Sequence, residues 1–303
     1  MTLHVVVTGA GGLIGSALTR RLAAEGHRVS RVVRRAAGLG EISWDPESGR
    51  LDPNDLEGID AVVHLAGENV GARWTAGRKA RIRNSRVRGT RLLSETLARM
   101  RRPPAVLVSA SAIGIYGNRG DEILTDGSRV GDASHDFLAA VGQEWEAAAD
   151  AARNAGIRVV HPRFGVVLSP DGGALGQMLL PFRLGLGGRL GSGAQWMSWI
   201  SIDDVVEALL HLLRADSLLG AVNVTAPEPV RNRDFTRVLG RVLSRPTLFT
   251  VPAGALRLAF GEMADAALLS SARVVPGTLE ASGYRFSHRD VETALRHVLG
   301  TER

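Results

Sequence analysis

The 303-residue chain contains no cysteine, which excludes disulfides, thiol nucleophiles and cysteine-ligated zinc together. Redox chemistry therefore does not fix the compartment, and a cytoplasmic address is the simplest expectation. Lysine is almost as scarce. Lys79 is the only one, so the 37 basic residues that outnumber 31 acidic ones are nearly all arginine. Tyrosine occurs twice, at Tyr116 and Tyr284. No apolar run approaches the ~18 residues a bilayer span requires. Met1-Thr2-Leu3-His4 runs straight into a strand pattern, with no basic segment and cleavable apolar stretch ahead of it. No membrane insertion and no export are expected.

What is present is ordinary globular sequence, 45% apolar and 22% charged, long enough for roughly two compact domains. Val5-Val6-Val7 ends at Thr8-Gly9 as a buried strand entering a tight turn. Ile14, Leu18 and Leu22 then place an apolar stripe on a helix that stops at Gly26. The alternation continues with strands expected at 29–33, 61–65, 105–109 and 158–162, and helical segments at about 75–100 and 134–155. This pattern predicts an α/β fold, a doubly wound parallel (Rossmann) sheet, over residues 1–166. Residues 200–225 return to it through a helix at 202–213 and a strand at 221–224. The remainder, 167–199 and 226–303, is expected to form a smaller C-terminal α+β substrate domain. Within it, the glycines at 185, 187, 188, 191 and 193 read as a loop without regular structure.

Gly9, Gly12 and Gly15 form a G-x-x-G-x-x-G run between strand and helix. The first permits the turn, the second a close backbone approach to a pyrophosphate, and the third tight packing of helix on strand. The helix start at Leu13 and Ile14 supplies N–H donors and the positive dipole end. An NAD-selective site places a carboxylate at the end of the second strand. Here that strand ends in Arg34 and Arg35, with no acid before Glu41. Guanidinium forks suit a 2′-phosphate, so NADP is the expected cofactor. No residue set calls for a metal. The arginine-dense segment 78–91 lacks interleaved aromatics and keeps an apolar side at Ile82, Leu92 and Leu93, so no nucleic-acid partner is expected.

With Thr8-Gly9-Ala10-Gly11-Gly12-Leu13-Ile14-Gly15, His64-Leu65-Ala66-Gly67 and Ser109-Ala110-Ser111, the chain resembles the extended short-chain dehydrogenase/reductase superfamily. More narrowly, it is similar to the nucleoside-diphosphate-sugar epimerases with a characteristic C-terminal domain. That match rests on Gly67-Glu68-Asn69, Ser85-Arg86, Tyr116-Gly117, Trp145-Glu146, residues 180–188 and 191–195, Ser198-Trp199-Ile200-Ser201-Ile202-Asp203-Asp204, and Gly261-Glu262. It covers essentially the whole chain. The resemblance implies that Arg34 and Arg86 hold phosphates, and that Leu65 and Ala66, with Gly67 and Ser109 in the same motifs, line the cofactor crevice.

The superfamily's chemistry uses a tyrosine four residues before a lysine, the lysine lowering the tyrosine pKa. Counting back from Glu146, those places fall at Leu138 and Gly142. Nor does the pair sit elsewhere: four residues after Tyr116 is Gly120, and four after Tyr284 is His288. Ser111 matches the superfamily's catalytic hydroxyl, and equally reads as a cap on its own turn. Tyr116, in a loop expected to overhang the nicotinamide, is either a surrogate acid or a packed aromatic. Glu68 and Asn69 face the ligand crevice or cap the next segment. Arg163, directly after a strand, is placed to clamp an anion. His135 reads as a titrating or a solvated side chain, and His64 and His161 as satisfied core residues. Trp196 and Trp199 form either a wall for a ring-shaped ligand or a loop anchor. The functional expectation is an NADP-dependent oxidoreductase or epimerase acting on a small hydroxylated or carbonyl substrate, with a homodimer allowed. The alternative is a non-catalytic NADP-binding regulatory or redox-sensing protein.

Overall fold

A computed structural model describes residues 2–301. Seven strands make the central sheet: β1 (His4–Thr8), β2 (Arg28–Val33), β3 (Glu41–Ser43), β4 (Ala61–His64), β5 (Val106–Ser109), β6 (Arg158–Phe164) and β7 (Gly220–Val224). Their order is β7-β6-β5-β4-β1-β2-β3 and every pairing is parallel. An eighth piece, Ser111–Ala112, runs parallel to the end of β6, with Ser111 opposite Arg163. This is the expected doubly wound Rossmann-like sheet, with β7 at its edge beside β6. The three-residue edge strand β3 carries a single buried residue, Ile42, too little pattern for sequence to reveal.

The period of two along each strand sorts the core into two layers. Val5, Val7, Val63, Val108 and Val160 point into one cluster with Leu18 and Leu22 of helix α1 (Leu13–Ala24). Val6, Val62, Leu107 and Val159 point to the opposite face, against Leu93 and Leu97 of helix α2 (Ala76–Ala98). Helices α3 (Phe137–Ala147) and α4 (Asp150–Asn154) pack beside α2.

A third apolar cluster joins Leu175, Leu179 and Phe182 of helix α5 (Gly173–Arg183) to Phe235 and Leu239 of the helix Asn232–Val242, and to Val291 and Leu295. Two departures from the sequence reading occur here. Leu279, Tyr284 and Phe286 pack into the first core rather than the third, and the Tyr284 hydroxyl donates to the Asp204 carbonyl at 3.0 Å. Gly188–Leu190 is not irregular but a strand parallel to Phe249–Val251. Its glycine serves close approach, because a Cβ on Gly188 would lie 2.4 Å from the Phe249 carbonyl oxygen.

Candidate functional site

The strand order reverses between β1 and β4, and in a doubly wound sheet the ligand crevice opens where neighbouring connections diverge. Both strand exits are tightly specified. Gly9 has φ +66°, and a Cβ there would lie 2.8 Å from the Leu65 carbonyl and the Ala66 nitrogen. A Cβ on Gly15 would lie 2.2 Å from the Gly9 oxygen. The Thr8 hydroxyl accepts from the N–H groups of Leu65 and Ala66 at 3.1 and 3.2 Å, so its own hydrogen points to His64 Nδ1 at 2.6 Å. His64 therefore carries its hydrogen on Nε2 and donates to Thr90 at 2.9 Å. Burial pushes His64 down to about 4, and it is the satisfied core histidine expected.

Gly12 precedes α1 without a capping side chain, and its own N–H is taken by Gly9 at 2.9 Å. The N–H groups of Leu13, Ile14 and Gly15, in the first turn of α1, then have no acceptor among the described residues. Leu65 and Ala66 are half-buried and Gly67 is exposed along the same mouth. Segment 172–173 closes over the turn, since Cβ atoms on these glycines would meet the Leu13 side chain.

The arginines divide by partner. Arg34 is exposed and has no hydrogen bond or ion pair among the described residues. Arg35 is held by both Glu41 oxygens at 2.7 Å. Arg86 crosses Gly67, where a Cβ would lie 3.2 Å from the guanidinium carbon, and donates to the Glu68 carbonyl at 3.0 Å. Its guanidinium sits 4.9 Å over the Trp145 ring. Burial pulls its pKa down to about 10 against the opposing charge of Glu68. A half-buried cation with no directly bonded carboxylate suits a phosphate.

Beyond β5 lies a buried relay. Ser111 Oγ donates to Glu146 Oε1 at 2.7 Å, and Arg163 grips both Glu146 oxygens at 2.8 Å. Arg163 also donates to the Tyr116 hydroxyl at 2.9 Å, which donates in turn to Asn223 at 2.7 Å. Burial raises the Glu146 carboxyl, but the Arg163 fork outweighs it and holds the group below its ordinary range. Burial pushes the Tyr116 phenol up.

These contacts bear on two of the candidate residues. Tyr116 is fully buried with its hydroxyl committed on both sides, which favours the packed aromatic over the surrogate acid; Ser111, at 1% exposure, is as buried. Arg163 is 5% exposed and spends its donors on Glu146 and Tyr116, leaving no open fork for an anion. Ser111 gives its hydrogen to an ionised carboxylate, so toward any other group it offers lone pairs. Ser109 is buried, and its hydroxyl has no partner among the described residues.

The places of the tyrosine and lysine are filled by packing. Leu138 lies against Trp74, Ile82 and Met263. A Cβ on Gly142 would lie 2.9 Å from Ile115 Cβ. Lys79 is elsewhere, bound to Glu262 at 2.8 Å and lying over the Phe137 ring. Glu68 is flanked by Arg78 and Arg81, and Asn69 folds back on Gly71. His135 is exposed beside Asp132, and His161 is buried against the Ser109 carbonyl. Trp199 is fully buried and donates to the Glu228 carbonyl, while Trp196 is stacked between Arg231 and Arg273, which makes both of them anchors. The sequence marks Trp145 and Glu146 as a motif without giving either a role, and gives no sign of Asn223. Separations of 17 and 107 residues leave no local signal for such contacts.

A model of the NAD dependent epimerase/dehydratase family matches residues 5–224. The chain belongs to this family. Within it, residues 251–298 match a domain of unknown function, DUF1731. Epimerase family protein Mb2239 of Mycobacterium bovis is 46% identical over 296 residues, spanning 97% of each chain. The crystal structure of human epimerase family protein SDR39U1 (isoform 2) with NADPH superposes with a TM-score of 0.90 at 35% identity, over 99% of this chain and 100% of that one. The nucleoside-diphosphate sugar epimerase from Corynebacterium glutamicum gives 0.82 at 38% identity, over 100% of this chain and 59% of that one. This family member thus has the extended short-chain dehydrogenase fold implied by its motifs.

Proposed function

We propose that this protein is an NADP-dependent oxidoreductase or epimerase acting on a small hydroxylated or carbonyl substrate without a tyrosine–lysine pair. The observation that carries the cofactor is the pairing of a glycine turn in which Gly9 and Gly15 leave no room for a Cβ with an exposed Arg34 that has no partner among the described residues. The human relative solved with NADPH supports the same choice. When bound, NADP supplies a nicotinamide that takes or gives hydride. The N–H groups of Leu13, Ile14 and Gly15 would hold the pyrophosphate, with Arg34 on the 2′-phosphate and Arg86 on a further phosphate. Ser111 is the one candidate hydroxyl with a carboxylate behind it. Its own hydrogen stays directed at Glu146, which the Arg163 fork keeps ionised, so Ser111 would accept a hydrogen bond from a substrate hydroxyl and orient that group for hydride transfer.

Titration with NADPH and NADH, followed by NADPH turnover against ketones, quinones and keto-sugars, tests this. Tighter NADPH binding and turnover lost in Ser111→Ala are the expected results. Equal affinity for the two cofactors removes the NADP assignment. The second reading is an NADP-binding sensor without turnover, favoured by the burial of Tyr116 and by the filled places at Leu138 and Gly142. It predicts tight NADPH binding with no oxidation across the panel.

A further inference from the structure

The segment from Gly172 to Ile202 contains no acidic residue, and neither does the segment from Phe235 to Gly261. The fold brings these two stretches together: Gly188–Leu190 pairs with Phe249–Val251, and Arg245 Nε donates to the Arg183 carbonyl at 2.8 Å. A Cβ on Gly185 would touch Pro246. Around this seam stand Leu180, Leu184, Leu186, Leu248 and Phe249, with 54% to 87% of their surface open. Leu180 and Leu184 share one face, a single turn apart. Five large exposed apolar side chains on two segments that pair with each other are uncommon in a soluble protein and mark contact sites.

The charges beside them point to the occupant. Arg237, Arg241 and Arg257, elsewhere in these stretches, are bound to Asp234, Glu292 and Asp265. Arg183, Arg189 and Arg245, on the seam itself, are exposed and have no carboxylate partner among the described residues; Arg189 and Arg245 donate only to a hydroxyl and to carbonyls. A leucine-rich patch bordered by three arginines that have no carboxylate partner among the described residues complements a surface that is apolar beneath and anionic on top. We infer that this face docks onto an anionic phospholipid bilayer. Among the described residues no helix is long and apolar enough to cross a membrane, and resting on the surface requires none.

Flotation of the full-length protein with vesicles tests the inference. Binding is expected to phosphatidylcholine vesicles containing phosphatidylglycerol, to be much weaker on phosphatidylcholine alone, and to fall in high salt. Leu184→Glu/Leu248→Glu is expected to abolish it. Arg183→Gln/Arg189→Gln, which removes no carboxylate contact, is expected to weaken it about 25-fold, roughly fivefold for each arginine. Both variants should melt as the wild type does, since all four side chains are exposed. Absence of flotation with the anionic vesicles, or equal flotation with both lipids, overturns the inference. So does a concentration-dependent dimer in sedimentation that Leu184→Glu dissociates, because a second copy then covers the patch.

Discussion

Glu146→Ala is the most searching perturbation of the buried relay. The wild-type carboxylate neutralises a guanidinium that is almost sealed from solvent, with side-chain exposures of 7% for Arg163 and 16% for Glu146. Removing one partner of a buried pair leaves the other charge uncompensated, at a cost of about 3–5 kcal/mol. Ser111 loses its acceptor in the same step. In a chain of this size that destabilisation lowers the melting temperature by roughly 6–10 °C. Glu146→Gln preserves shape and an acceptor, so it should cost less, about 1.5–3 kcal/mol. The pH dependence gives a second check. The folded carboxyl is held below its ordinary value, so its stabilisation is fully present above the unfolded value of about 4.3 and is lost as pH falls through the folded value. The gap between wild type and Glu146→Ala in urea titrations should therefore narrow below about pH 4. A loss under about 1 kcal/mol at neutral pH, or a gap that stays constant on acidification, would refute the reasoning.

Three further outcomes are expected. Arg34→Ala should weaken NADPH binding by about 1.5–3 kcal/mol and leave NADH unchanged, whereas Arg35→Ala, already engaged by Glu41, should have a smaller effect in the same titration. Ser244 is the only non-glycine residue at positive φ among those described, at +53°, just past the helix Asn232–Val242, so Ser244→Gly should raise stability by about 0.5–1 kcal/mol in denaturant melts. His64 stays neutral in the fold down to about pH 4 while the unfolded chain takes up its proton near 6.5, so stability rises with pH across that window. Its share is about 3 kcal/mol, an NMR titration should show no protonation at pH 5.5, and His64→Gln should flatten that part of the pH–stability curve.

The glycine turn and the strands around it were legible because their requirements are local. Gly9, Gly12 and Gly15 lie within one turn, the strand valines alternate, and Arg34 directly follows β2. The relay was not legible because Ser111, Glu146, Arg163 and Asn223 come from four separate elements. Only the pairing of Ser111–Ala112 with the end of β6 and the packing of α3 bring them into contact. Arg34 and Arg35 look equivalent in sequence, and a carboxylate six residues on separates them. Glycine misled once, at Gly188, because the same residue that loosens a loop also lets two backbones touch.

The contact of Gly142 with Ile115 bears on how this chain could change its chemistry. Converting Leu138 to tyrosine is one substitution, but a lysine at position 142 would drive its stem into Ile115, and only a smaller residue there would admit it. The tyrosine alone, without a neighbouring ammonium, gains little. Each single step toward the usual pair is therefore neutral or harmful, and only a simultaneous triple change is rewarded. A laboratory selection for that activity by single mutations should stall, and libraries varying 115, 138 and 142 together are the ones to make.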